Sequence, residues 1–134
     1  VRGNVPGELL QQCFVMAADT RTNAGIDNIS TYNKLHILAD DADRLIICAS
    51  AGSLSVTQAM LSMLAEGLGP QNEDTSIRTV ATMPTMFRVA QLVGEALANA
   101  RRDIGRTLHG TGINAEVSLL LGGRVGEGPL MLYL

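Results

Sequence analysis

Aromatic side chains are scarce in this chain of 134 residues, which contains two phenylalanines, two tyrosines and no tryptophan. Apolar residues nevertheless make up 46% of the chain, so a core has to be built from aliphatic side chains, methionine and alanine. That apolar content excludes an intrinsically disordered protein, and the length predicts a single domain.

Side chains that bind metals are equally few. The two cysteines, Cys13 and Cys48, form no CxxC pair, and His36 and His109 are the only histidines. This pattern argues against a structural zinc site, and nothing in the sequence predicts a cofactor. Cys48 lies in an apolar run and is expected to be a small buried core residue. Such cysteine usage fits a protein of the reducing cytoplasm.

Long runs of basic or of apolar residues are also absent. The formal net charge is −3, and the only adjacent basic pair, Arg101 and Arg102, is followed by Asp103. We interpret that pair as a solvated helix face and not as a nucleic-acid footprint. No stretch approaches the roughly 20 apolar residues that span a bilayer, and residues 1–4 lack the apolar region of a signal peptide. We therefore expect neither nucleic acid nor a membrane as a partner.

The apolar periodicity predicts strands, then two helices, then strands again. Residues 1–12 show no period and are expected to be irregular, while residues 13–134 should form one domain. Strands are predicted at residues 14–18, 34–38, 44–50, 115–121 and 130–134, with a short strand and turn within 20–30 and a turn at 122–129. One helix is predicted with Ser53 or Ser55 as its cap and is stopped by Gly69–Pro70, and a longer one starts near Pro84 and ends around His109–Gly110. Segregated helices and hairpins predict the α+β class.

Residues 17–35 carry the most distinctive motif in the chain. They read AADTRTNAGIDNISTYNKL, and ASAG follows at residues 49–52, just before the first predicted helix. Both segments resemble the bacterial proteasome-type β subunits of the ancestral branch (Anbu-like), which belong to the N-terminal-nucleophile hydrolases. The resemblance extends over residues 14–134. It implies a four-layer αββα sandwich, incomplete in this chain because its C-terminal part is lacking, with an active site at one end of the two sheets.

The resemblance also implies a chemistry, that of a threonine peptidase which cleaves peptides or unfolded proteins. In that family the hydroxyl of an N-terminal threonine attacks the substrate while its free α-amine, with a reference pKa of ~7.7–8.0, accepts the proton. Carried over by position, Lys34 is the lysine beside this amine and Asp19 the carboxylate that holds the lysine. Gly52 provides an oxyanion N–H, and Arg21 supports the site.

Three further positions are carried over as substrate-binding residues. Thr22 and Asn23 match the strand that aligns an extended peptide by strand addition, and Ser50 matches the base of the primary specificity pocket. The same resemblance implies that copies of the chain assemble into a ring or stack. The apolar stripe from Met86 to Ile104 is predicted to be helix core, with an interface between copies as the alternative.

The nucleophile itself is not visible in the sequence. Counting back from Asp19 by the family's spacing reaches Gly3, and residues 1–12 contain no Thr, Ser or Cys. Cys13 lies only six residues before Asp19, so we expect a buried cysteine there and not a nucleophile. Pro6 and Gly7 interrupt the place of the family's first strand.

Less specific interpretations stay open beside the peptidase. Asp19 and Lys34 are also compatible with a structural ion pair, and Gly52 with an ordinary glycine between a strand and a helix. The chain is then a non-catalytic structural subunit of a proteasome-like homo-oligomer, or a ligand-binding α+β domain unrelated to hydrolysis. The acidic residues of 40–43 lack the ligand spacing of a calcium loop and predict a solvated hairpin turn.

Overall fold

The computed structural model describes residues 16–17, 21–23, 29–31, 33–70, 76–108 and 116–134. The elements in these ranges are β1 (Arg21–Asn23), β2 (Ile29–Thr31), β3 (Leu35–Asp40), β4 (Arg44–Gly52), α1 (Leu54–Glu66), α2 (Met86–Leu108), β5 (Val117–Val125) and β6 (Met131–Tyr133). Strands, two helices and strands again follow one another, which confirms the α+β class. No helix in these ranges is long and apolar enough to cross a membrane. The expected irregular start, Cys13 and most of the strand predicted at 14–18 lie outside the described residues.

The strands form two antiparallel sheets. One is the hairpin β1-β2, and the other has the order β3-β4-β5-β6, which makes β4 and β5 its central strands. The predicted hairpin of β3 and β4 is confirmed, and its turn is fixed by Asp41, whose Oδ1 accepts hydrogen bonds from Asp43 N at 2.8 Å and Arg44 N at 2.9 Å. The acidic residues of this turn are exposed, as a solvated turn requires.

The core lies between the four-stranded sheet and the two helices. Alternation along β4 turns Ile46 and Cys48 toward the helices, and Leu121 of β5 lies opposite Cys48. The helices bury aliphatic and methionine side chains against them: Val56, Met60 and Leu64 of α1, and Met86, Val89, Leu92, Val93, Ala96 and Ala100 of α2. The predicted stripe on the second helix is therefore core. Both the aliphatic character of the core and the burial of Cys48 are confirmed.

The first helix begins where the sequence predicts but ends earlier. Ser53 caps it, since its Oγ accepts a hydrogen bond from Val56 N at 3.4 Å. The helix ends at Glu66 and not at Gly69–Pro70, because Gly67 adopts φ 92° and donates its N–H to Met63 O at 2.9 Å. A positive φ is accessible to glycine at little cost, so this residue stops the helix before the proline is reached.

The second helix begins at Met86, two residues after Pro84, near which the sequence predicts its start. Thr85 precedes it, and its hydroxyl accepts a hydrogen bond from Arg88 N at 3.2 Å. The loop before the helix is held by the buried side chain of Arg44, whose Nη1 donates to Val80 O at 2.6 Å and Met83 O at 2.8 Å. Tertiary contacts from β4 therefore set the path of the chain into α2, and the proline lies within that loop.

Strand β5 runs through Gly122 and Gly123, which the sequence predicts to be a turn. Gly123 lies opposite Ile46, and a Cβ atom on it would stand 2.2 Å from Leu45 O and 2.9 Å from Ile46 Cα. The glycine here permits close approach of two paired backbones. The turn follows at Gly126, which has φ 55°.

We predict that Gly123→Ala destabilises the protein by about 1–3 kcal/mol or more, because the new methyl group meets backbone atoms that cannot rotate away. The matched control is Gly94→Ala on the exposed face of α2, where an added Cβ meets no atom within 4 Å. That change should leave stability unaltered or raise it by up to about 1 kcal/mol, through helix propensity. Denaturant unfolding measures both, and equal effects of the two substitutions would contradict the close approach at Gly123.

Candidate functional site at the end of the central sheet

Three of the residues singled out from the sequence meet where β3 begins and β4 ends. Ser50 N donates a hydrogen bond to Lys34 O at 2.9 Å, so these two residues lie side by side. Gly52 follows two positions along β4, opposite Val117 of β5. The hairpin therefore brings together positions that are separated by up to 18 residues in the sequence.

The other predicted site residues lie apart from the four-stranded sheet. Arg21, Thr22 and Asn23 form β1, whose backbone pairs with β2 in a sheet of its own. This confirms an extended backbone at Thr22 and Asn23. Asp19 lies outside the described residues, so its predicted contact with Lys34 stays a prediction.

Gly52 occupies a position that only glycine fits. Its φ is 109°, and a Cβ atom there would stand 2.3 Å from Glu116 O and 3.1 Å from Val117 Cα. The same carbonyl oxygen, Glu116 O, accepts a hydrogen bond from the N–H of the next residue, Ser53, at 2.9 Å. The carbonyl of Glu116 thus holds the junction between β4 and α1. Gly52 was predicted either to donate its N–H to an oxyanion or to be an ordinary glycine between a strand and a helix. Both interpretations require glycine here, so the geometry is compatible with each.

Lys34 borders a shallow depression with a volume of 290 Å³. The residues that line it are mostly small: Ala49, Ser50 and Ala51 of β4, Ser118 of β5 and Ala17, together with Leu119, Leu120 and Leu134. Small residues at the end of β4 leave room beside the half-buried lysine. This is the concave surface that the predicted active-site lysine shares with Ser50.

The side chain of Ser50 is turned toward the helices and is only 7% exposed. Its Oγ lies 3.3 Å from Nε2 of His36, at hydrogen-bond distance. His36 stands opposite Cys48 on β3, so both partners belong to the same face of the sheet. Desolvation by burial lowers the pKa of His36 below its ordinary value of 6.5, which favours a neutral imidazole at neutral pH.

His36 also lines a second concavity, the β3 groove, which has a volume of 840 Å³ and follows β3 beside α1. Its lining is Asn33, Leu35, His36, Ile37, Leu38, Leu61, Leu64, Ala65, Thr79, Val80 and Ala81. His36 lies on the face of β3 opposite to Leu35 and Ile37, and the sequence assigned it no function. The contact of His36 with Ser50 depends on the register in which β3 and β4 pair. The alternation of polar and apolar residues does not predict that register.

Other groups that the sequence brings to notice fall outside this arrangement. Cys48 is fully buried, and burial raises the pKa of its thiol to about 11, so it is no candidate nucleophile. Among the described residues, no group of three or more His, Cys, Asp or Glu side chains is placed to hold a metal ion. A cavity of 470 Å³ between the turn after β5 and the start of α2 includes none of the predicted site residues.

The histidine generates a prediction about pH. Because the pKa of His36 is lowered on folding, the unfolded chain binds more protons than the folded chain as the pH falls below 6.5. Stability should therefore be fully present above that value and decline between about pH 6.5 and the folded-state pKa. His36→Gln keeps a hydrogen-bonding side chain that does not titrate, so it should flatten the decline of the melting temperature between pH 8 and 5.5. An identical slope in both proteins would contradict the burial effect.

Comparison with solved structures identifies the class of this fold, the proteasome-type β subunit. Anbu from Hyphomicrobium sp. strain MC1 matches with a TM-score of 0.68 and 36% identity over 86% of this chain and 45% of that protein. Anbu, the ancestral β-subunit, from Yersinia bercovieri matches with a TM-score of 0.68 and 35% identity over the same shares, 86% and 45%. The Pseudomonas aeruginosa protein, in a structure described as a helical assembly of the Anbu complex, has a TM-score of 0.68 and 28% identity, again over 86% and 45%.

This chain is therefore Anbu-like, and the resemblance recognised in residues 17–35 and 49–52 is confirmed at the level of the fold. It spans less than half the length of these relatives. No protein-family model matches the chain, and no curated protein does.

Proposed function

We propose that this chain belongs to a proteasome-type subunit that hydrolyses peptide bonds through an N-terminal threonine. The observation that supports this most directly is the meeting of Lys34 and Gly52 at one end of the sheet. Each was assigned from a separate segment of the motif, and Ser50 joins them through its backbone bond to Lys34. If the motifs resembled the family only by chance, there would be no reason for Lys34 and Gly52 to lie at the same end of the sheet.

The proposed reaction divides peptide hydrolysis into two steps. The threonine hydroxyl attacks the peptide carbonyl while the α-amine takes its proton, and the ammonium of Lys34 keeps the pKa of that amine low and stabilises the forming negative charge. The N–H of Gly52 donates to the oxyanion. Collapse of the intermediate releases the amine product, which takes up the proton, and leaves an ester that water hydrolyses.

The remaining predicted residues position this chemistry and the peptide. Asp19 orients Lys34, Arg21 supports the site, and Thr22 and Asn23 of β1 pair with the extended substrate backbone. We propose that the hairpin β1-β2 belongs to the second sheet of a four-layer sandwich, because it is separate from the sheet that carries the helices. The peptide then lies at one end of the two sheets, with Ser50 at the base of its primary specificity pocket.

Assembly is a further part of the proposal. The Pseudomonas aeruginosa relative is described as a helical assembly, and we propose that copies of this chain also associate, in the cytoplasm, with peptides or unfolded proteins as substrates. The apolar stripe of α2 is buried against the sheet and leaves other surfaces for such contacts.

The alternative function is that of a non-catalytic structural subunit in a similar homo-oligomer. Gly3 favours it, because the family's spacing gives this position to the nucleophile and glycine has no hydroxyl. The two functions differ in what the mature protein carries at its N-terminus, so this residue decides between them.

We expect the protein purified from its own cells to have a mass well above 14.2 kDa and a threonine as its N-terminal residue. Intact-mass spectrometry and N-terminal sequencing measure both. A mass of 14.2 kDa with Val1 at the N-terminus would instead support the structural subunit.

In the same protein, Lys34→Ala should lower kcat/KM for a fluorogenic peptide by at least about 100-fold, the low end of what a group acting in proton transfer contributes. Arg101→Ala is the matched control, since it removes an exposed positive charge from α2. Hydrolysis at the unchanged rate after Lys34→Ala would contradict the role of this lysine. Equal losses in both variants would point to a general effect of charge.

A further inference from the structure

The cavity of 470 Å³ at the start of α2, which we call the α2 cavity, lies at the opposite end of β4 from Gly52. Its lining is Asp43, Arg44, Pro84, Thr85, Met86, Phe87, Val125, Gly126, Glu127, Gly128, Pro129, Met131 and Tyr133. The nine residues of β4 span roughly 26 Å at the rise of an extended strand. The cavity is therefore separate from the candidate active site.

The aromatic side chains in the described part of the chain gather at this cavity. Phe87 and Tyr133 both line it, while Phe14 and Tyr32 lie outside the described residues. Phe87 is 55% exposed, although its neighbour Met86 is buried in the core. An exposed aromatic ring beside a cavity is typical of a surface that contacts a partner, since such rings are enriched in the cores of interfaces.

Two polar groups of the cavity have no partner in the described part of the chain. Neither the carboxylate of Glu127 nor the hydroxyl of Tyr133 forms a hydrogen bond or an ion pair with a described residue. The backbone beside Glu127 is nevertheless fixed, because Gly126 N donates to Asp43 O at 2.6 Å. The turn after β5 thus presents an exposed carboxylate at the rim of a largely apolar cavity.

The charges around the cavity favour a cation. The guanidinium of Arg44 is already engaged, since its Nε and Nη2 donate to Asp43 Oδ2 at 3.1 and 2.9 Å and its Nη1 donates to two backbone carbonyls. These two opposite charges offset each other, which leaves the carboxylate of Glu127 in excess. The first turn of α2 contributes about half a positive elementary charge, less than the full negative charge of this carboxylate.

We propose that the α2 cavity is a docking site for an arginine side chain presented by a partner polypeptide. A guanidinium binds a carboxylate through two parallel hydrogen bonds and stacks on aromatic rings, so Glu127 and the rings of Phe87 and Tyr133 suit its head group. Its methylene stem suits the apolar side chains of Met86 and Met131. This inference does not depend on the proposed peptidase chemistry, which lies at the other end of β4.

The first test uses the protein purified from its own cells after growth with isotope-labelled methionine. It compares Nα-acetyl-arginine amide with Nα-acetyl-citrulline amide, an uncharged analogue of the same shape. We expect the methyl NMR signals of Met86 and Met131 to shift on titration with the arginine amide, which should bind at least about fivefold more tightly than the citrulline amide.

Substitutions then separate the contributions of charge and ring. Glu127→Gln and Phe87→Leu should each lower the affinity for the arginine amide about two- to fivefold. Glu66→Gln is the matched control, since it removes an exposed carboxylate of α1 that does not line the cavity, and it should leave the affinity unchanged. Equal affinities for the arginine and citrulline amides, or an unchanged affinity after Glu127→Gln, would overturn the proposal.

A second test asks whether the occupant is a polypeptide. A photoreactive benzoylphenylalanine in place of Phe87 is crosslinked in the living cells, and the attached segment is sequenced. An adduct with a segment that carries an arginine beside the linked residue supports the docking site, whereas no adduct, or only adducts with segments that lack arginine, would overturn it. None of these measurements requires hydrolysis of a peptide, so the outcome is distinct from that of the peptidase proposal.

Discussion

The close approach of β4 and β5 is the constraint on which the rest of this structure depends. At each end of the pairing a glycine makes it possible: Gly123 against the carbonyl of Leu45, and Gly52 against the carbonyl of Glu116. In both places a Cβ atom would overlap a backbone oxygen, so no rotamer change of a side chain would relieve the contact. The two strands pair over their full nine residues as a result.

Strand β4 carries the organisation of the domain because it is paired on both sides. Its helix-facing residues Ile46 and Cys48 form the floor on which α1 and α2 pack, and Ile47 on the other face is fully buried too. At the start of the strand, Arg44 holds the loop that leads into α2. The segment before that loop is tied to α2 by Arg78, whose guanidinium binds both carboxylate oxygens of Glu95 at 2.7 and 2.8 Å and lowers the pKa of that carboxyl.

The candidate site is a direct consequence of this strand. Its end is rich in small residues, which leave a depression beside Lys34, and its last residue must be glycine to turn into α1. Ser50 lies between these features, with its backbone N–H bonded to Lys34 O and its hydroxyl at hydrogen-bond distance from His36. A peptidase of the proposed kind needs a positive charge, an oxyanion donor and a side-chain pocket close together, and the end of one strand offers positions for all three.

Much of this protein could be predicted from its sequence, because the features concerned are local. The α+β class, the hairpin of β3 and β4, the buried stripe of α2 and a serine cap on α1 each follow from periodicity or from one residue's own chemistry, although only the structure selects Ser53 over Ser55. The motifs of residues 17–35 and 49–52 were sufficient to recognise the Anbu-like resemblance, and they pointed to Lys34, Ser50 and Gly52, which the fold brings to one end of the sheet.

Only the tertiary structure decided the rest, for reasons that lie in contacts between distant residues. Gly122 and Gly123 have the composition of a turn, but pairing with β4 holds both in strand β5. At Gly123 the two backbones come too close for a side chain. Gly67 ends α1 before the proline because its backbone takes a positive φ, and Arg44 holds the loop in which Pro84 lies. The contact of His36 with Ser50 joins residues 14 positions apart and exists only in one pairing register. The sequence by itself therefore determined the class, the core and the family likeness, while the pairing of the strands determined which distant side chains come into contact.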